Sequence, residues 1–210
     1  MKQGVRWGGR VVAGWAACML LTRCGEAVNG MEDDPRCRES SGLEVRELAL
    51  APVADSYVEE DQGPTVHGTE RKLVADNLSR RSAWLRFEVP EPPGPVLRAT
   101  LRLYALDGST DGPKLYPATT DWTEDSLSWT KAPELTGGPL GDVGLVPNGS
   151  WVEYDVTAAV AGSGPQGFAL VTESRNGVDF ASKEHARQEL APRLVLTVEA
   201  PTGMGCGARR

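Results

Sequence analysis

The sequence predicts an all-β protein: two antiparallel sheets packed face to face as a β-sandwich, with about nine or ten strands and one short helix. Three observations lead there. From Leu43 onward the chain is a series of short apolar segments divided by Gly, Pro and Asp. The chain holds 24 Gly and 15 Pro, which suits frequent turns, and no long helical apolar stretch interrupts the series. Several segments alternate apolar and polar residues with a period of two, as a strand buried on one face must. One-sided alternation repeated through successive strands calls for a second sheet to cover the apolar face.

The chain of 210 residues suits one domain with flanking tails. Residues 1–27 read as a targeting segment. Lys2, Arg6 and Arg10 make a basic start, and the apolar run over residues 11–21 is too short to span a bilayer but long enough for a signal-peptide core. Leu21-Thr22-Arg23-Cys24 looks like a lipoprotein box, which makes Cys24 a lipidation candidate. The competing cut follows Ala27, with Gly25 and Ala27 as small residues. No later segment is apolar enough to be transmembrane. Residues 28–43 are polar and read as a linker. The sandwich is expected over residues 44–200 and a tail over 201–210.

Strands are expected at 44–51, 55–59, 71–76, 82–89, 97–106, 113–118, 151–156, 166–173, 178–182 and 192–199. Leu85, Phe87, Leu101, Leu103, Val156, Phe168, Leu170, Leu194 and Leu196 follow as core residues. In the strand at 82–89, Trp84 and Arg86 fall on the outer face. In the strand at 97–106, Arg98, Thr100, Arg102 and Tyr104 alternate with the apolar set. The short helix is expected near Asp155, where Asp155 and Thr157 stand at capping positions and Gly162, Gly164 and Pro165 stop it. Residues 134–150, with five Gly and two Pro, read as a long surface loop.

Four cysteines occur: Cys18, Cys24, Cys37 and Cys206. Cys18 belongs to the signal segment. Cys37 and Cys206 flank the expected domain, and an even pair in an exported protein reads as a disulfide. Zinc is not expected, because no other Cys or His lies near either one. The sequence has Lys+Arg 22 and Asp+Glu 29. Residues 1–27 hold four of the bases and one acid, so the remainder carries 18 against 28, a net of −10. That balance opposes nucleic-acid binding.

A set of short motifs runs in order along the chain. Ala54 and Asp55 precede Tyr57 and Val58. Arg81, Ser82, Leu85, Arg86 and Phe87 form an R-S-x-x-L-R-F strand, and residues 99–104 read ATLRLY. Trp122, Thr123 and Glu124 lead to Leu127, Trp129 and Pro133. Trp151, Tyr154, Asp155, Val156 and Thr157 make W-x-x-Y-D-V-T. Phe180, Ser182, Lys183 and Glu184 are followed by Pro192, Arg193 and Leu194. In these motifs, from about residue 45 to 199, the chain resembles the DNRLRE-type domain classed as carbohydrate-binding module family 96. The resemblance implies a β-jelly-roll-like sandwich in a secreted bacterial protein. It also implies a polysaccharide partner, since founding members bind alginate, a polyuronate.

No catalytic constellation emerges. The two histidines, His67 and His185, sit in polar segments and read as solvated loop residues; no G-x-S-x-G occurs. Loop carboxylates such as Asp107 and Asp111 offer oxygens for calcium, but the DGSTDG segment lacks the length and terminal Glu of an EF-hand, so no cofactor is expected, with a structural calcium as the lesser alternative. Trp122 and Trp129 read as packing residues, and Glu124 as a turn cap or an arginine partner. The Ser182-Lys183-Glu184 segment is expected to form a cross-strand ion pair with Arg86. An acidic glycan needs Arg and Lys for its carboxylates and an exposed ring for a sugar face. The glycan-binding candidates are Arg81, Trp84 and Arg86 on one strand, and Arg175, Lys183 and Arg187 in the last third. The expected function is an exported, non-catalytic carbohydrate-binding module for an alginate-type polysaccharide. The alternative is a structural or adhesion protein of the envelope.

Overall fold

The computed structural model describes residues 42–160 and 162–202. The signal segment, most of the linker, the lipidation candidate Cys24 and the Cys37–Cys206 disulfide lie outside the described residues. Eleven strands occur among the described residues: β1 (Leu43–Leu50), β2 (Ala54–Glu59), β3 (Lys72–Ala75), β4 (Arg81–Val89), β5 (Val96–Ala105), β6 (Lys114–Ala118), β7 (Gly141–Asp142), β8 (Ser150–Asp155), β9 (Gly164–Val171), β10 (Val178–Ala181) and β11 (Arg193–Pro201). Ten are the expected strands, with ends moved by one or two residues. The eleventh, β7, is two residues long.

All pairings are antiparallel, in two sheets. One runs β2-β4-β9-β6-β7. The other centres on β5, with β8 on one side. On its opposite flank β5 meets first β11 and then β10, because Leu101 pairs with Leu194 and Ala105 with Phe180. β10 and β11 thus lie in succession along one strand, and the chain between them makes an excursion over residues 182–192. β1 extends the sheet beyond β11, and β3 beyond β10.

Period-two alternation sends Leu85 and Phe87 of β4, Leu101 and Leu103 of β5, Phe168 and Leu170 of β9, and Leu194 and Leu196 of β11 into one cluster between the sheets. All are buried, as is Val156. Phe87 and Phe168 meet edge to face, with ring centroids 6.2 Å apart. Burying side chains of this size contributes about 1.5–3 kcal/mol each.

Three expectations need correction. The helix near Asp155 is one capped turn. Asp155 Oδ1 accepts the Thr157 N–H, and this bond with the Thr157 hydroxyl holds the Asp155 carboxyl below its usual range. Val156 N–H donates to Ala99 O and Ala99 N–H to Thr157 Oγ1, so the segment stays tied to β5. A single tethered turn leaves nothing to propagate a helix. Residues 134–150 are not a free loop: β7 pairs with Lys114 and Leu115, and Val146, bridged to Ser109, is buried. His67 is not solvated. It is 7% exposed and stacked on Tyr57 with ring centroids 4.1 Å apart.

Candidate functional site

The outer face of the β5-centred sheet carries aromatic and basic side chains together. With Leu101 and Leu103 inward, Arg98, Thr100, Arg102 and Tyr104 point outward from β5. With Val152 and Tyr154 inward, Trp151 and Glu153 point outward from β8. The register places Tyr104 opposite Trp151 and Arg102 opposite Glu153. The Tyr104 and Trp151 rings meet edge to face at 5.3 Å, and the Arg102 guanidinium carbon lies 5.0 Å from the Trp151 ring centroid. Arg102 Nε also sits 2.9 Å from Glu153 Oε1. Trp151 remains 37% exposed. On the other side of β5, Arg193 pairs with Arg102 in register, although its guanidinium donates to the carbonyls of Pro192 and Gln188.

The residues expected to bind glycan are placed differently. Trp84 does lie on the outer face of its sheet, but it is 4% exposed. Residues 119–133 cross that face, and Trp84 packs with Trp122, Leu127, Val58 and Ala169 in a second apolar cluster. Trp84 therefore has no ring face to offer a sugar. Arg86 Nη1 donates to the carbonyls of Thr120 and Trp122 at 3.1 and 2.7 Å, with the guanidinium 5.7 Å from the Trp122 centroid, so Arg86 fastens the covering segment. Arg81 shares the inward parity of Ala83 and Leu85, not that of Trp84, and binds Glu59 at the strand end. Arg175 and Arg187 are exposed on separate loops at opposite ends of β10; Arg187 Nε lies 3.6 Å from Glu189.

The expected ion pair between the Ser182-Lys183-Glu184 segment and Arg86 does not form among the described residues: Arg86 goes to the carbonyls of Thr120 and Trp122, and Glu184 to Lys183. The Lys183 ammonium sits 3.1 Å from Glu124 Oε1 and in close contact with Glu184 Oε1. Burial opposes its charge, but these two carboxylates raise it overall above its ordinary value. Its backbone N–H donates to Asp55 Oδ2 at 2.8 Å, and Asp55 N–H donates to Glu124 Oε1 at 2.8 Å. β2 is an edge strand, so Glu124 caps a backbone donor that no neighbouring strand takes. Asp55, Glu124 and Glu184 thus converge, each offering an oxygen within 4.8 Å of the others. Burial pushes the Asp55 carboxyl well above its ordinary 3.8; the Lys183 N–H opposes this, while Glu184 and Glu124 reinforce it.

Residues 47–198 match carbohydrate-binding module family 96. The chain belongs to this family. The family 96 match runs from β1 to β11 and takes in both the aromatic face and the acidic cluster. No curated protein sequence matches the chain. Among the described residues no helix is long and apolar enough to cross a membrane.

Sequence reasoning missed Trp151 as an exposed ring, although it stands in the W-x-x-Y-D-V-T motif. The usable signal was parity: Trp151 alternates with Val152 and Tyr154, and Tyr104 and Arg102 with Leu103 and Leu101. For the acidic cluster there was no local signal, since Asp55 and Glu124 are 69 residues apart.

Proposed function

We propose that this protein is an exported, non-catalytic module that binds an acidic polysaccharide of the alginate type on the outer face of the β5-centred sheet. The observation that carries the reading is the exposed Trp151 ring with the Arg102 guanidinium 5.0 Å from its centroid. A ring on a rigid sheet gives the apolar face of a sugar a flat surface, and a neighbouring planar guanidinium can grip a uronate carboxylate with two parallel hydrogen bonds. The Arg102–Glu153 pair is no obstacle, because exposed ion pairs contribute only about 0.2–1 kcal/mol and a ligand carboxylate can replace Glu153. The acidic net charge slows the approach of a polyanion, so affinity rests on short contacts that weaken with salt. Family membership and the basic, apolar leader support the exported, polysaccharide-directed reading.

The test is retention on an alginate affinity gel at low ionic strength. Trp151→Ala and Arg102→Ala should each lose retention while remaining folded. Arg86→Lys, Lys183→Ala and Arg187→Ala should keep it. Retention that survives both platform substitutions refutes the site. A protein that retains no acidic or neutral glycan on an array supports the envelope structural or adhesion role instead.

A further inference from the structure

At the corner where β2, the covering segment and the 182–192 excursion meet, acidic side chains outnumber their basic partners. Asp55, Glu124 and Glu184 bring three carboxylates together, and the Lys183 ammonium supplies one positive charge. Asp55 is 1% exposed. One of its oxygens is held by the Lys183 N–H, but the other, Oδ1, has no hydrogen-bond partner among the described residues, and neither has the buried Glu184 Oε2. Buried carboxylate oxygens are normally satisfied by a donor or a cation.

We propose that Asp55, Glu124 and Glu184 form a site for a divalent cation of the calcium type. Calcium takes oxygen ligands at about 2.3–2.6 Å, so oxygens on opposite sides of one ion stand about 5 Å apart. The three carboxylates each present an oxygen within 4.8 Å of the others, inside that span. Two of the three side chains are already oriented through their other contacts. Asp55 Oδ2 is fixed by the Lys183 N–H, and Glu124 Oε1 by the Asp55 N–H. The unpartnered Asp55 Oδ1 and Glu184 Oε2 are the free ligands. A bound cation requires Asp55 to give up its proton, and the three carboxylates and one ammonium then leave two negative charges, which one divalent ion neutralises. Magnesium demands a tighter octahedron and keeps most of its water, so it suits this protein-walled, irregular set less well. The ion would join the sheet containing β2 to the chain leaving β10 of the other sheet, and both to the covering segment. The proposal does not depend on the glycan platform.

The unfolded chain cannot assemble ligands from such distant positions, so calcium must stabilise the folded protein. At a free concentration a hundred times its dissociation constant, it shifts the folding equilibrium about a hundredfold. The experiment is calorimetric titration of the chelator-treated full chain with calcium chloride, with magnesium chloride for comparison, alongside thermal melts in calcium and in EDTA. One saturable site for calcium, weaker binding of magnesium and a higher melting midpoint in calcium are expected. Asp55→Asn, which keeps an oxygen for the Lys183 N–H, should lose calcium affinity at least tenfold. Glu124→Gln, which keeps an oxygen for the Asp55 N–H, should do the same, and serves if the Asp55 variant does not fold. No heat and identical midpoints in calcium and EDTA overturn the proposal. Undiminished calcium binding in a folded Asp55 or Glu124 variant also overturns it, because the ion then sits elsewhere.

Discussion

Replacing Arg86 with alanine separates a structural role for the β4 arginine from a ligand-binding one. Its Nη1 donates to the carbonyls of Thr120 and Trp122, and its guanidinium faces the Trp122 ring. Hydrogen bonds to a charged group contribute about 1.5–3 kcal/mol each; Arg86 is only partly buried, so the low end applies and the two together are worth about 3 kcal/mol. In a domain of this size each kcal/mol moves the melting midpoint by about 2–4 °C, so Arg86→Ala should melt about 6–12 °C lower. Scanning calorimetry and urea unfolding measure this directly. Arg86→Lys should recover little, since an ammonium lacks the planar fork that reaches both carbonyls. Glycan retention per folded molecule should not change. A stability loss below about 1 kcal/mol would show that residues 119–133 are held without Arg86. A stable variant that no longer binds glycan would return the ligand site to β4.

Phe87→Ala, at a fully buried position against Phe168, should cost about 3–5 kcal/mol in urea unfolding, and a loss under about 1 kcal/mol would mean the faces of β4 are reversed. Burial lowers the His67 imidazole below its ordinary 6.5, Arg81 adds to this, and Glu59 and Glu70 oppose it. The unfolded chain therefore takes up this proton more readily than the folded one. The His67 contribution to stability is complete above pH 6.5 and is lost as pH falls through the lower, folded value. His67→Phe, which keeps a ring on Tyr57 but cannot titrate, should flatten stability against pH on the acid side of 6.5, and an unchanged slope would exclude His67 as its source.

Alternation is a property of a strand taken by itself, so it was legible without any partner. Leu85 and Phe87, Leu101 and Leu103, Phe168 and Leu170 all reach the core from a pattern two residues long. The short helix failed because Thr157 fits a helix cap and a sheet tether equally well, and only the proximity of Ala99 decides between them. The same limit governed the site. Trp84 and Trp151 both alternate outward from their strands, and parity treats them alike. Residues 119–133 lie across the first and leave the second exposed, because Arg86 and the Trp122–Leu127 cluster hold that segment over β4.

By itself the sequence determined the sandwich, the spans of ten of its strands and the inward face of those that alternate, since backbone geometry and apolar spacing act over neighbouring residues. The tertiary structure decided which outward faces meet water and which charges meet each other. Asp55, Glu124 and Glu184 each stand in a readable motif, on an edge strand, a covering segment and an excursion between two strands. Their convergence follows from sheet packing and from the Lys183 N–H reaching Asp55 across 128 residues. Carboxylates repel one another wherever they meet, but no local pattern records that they will meet.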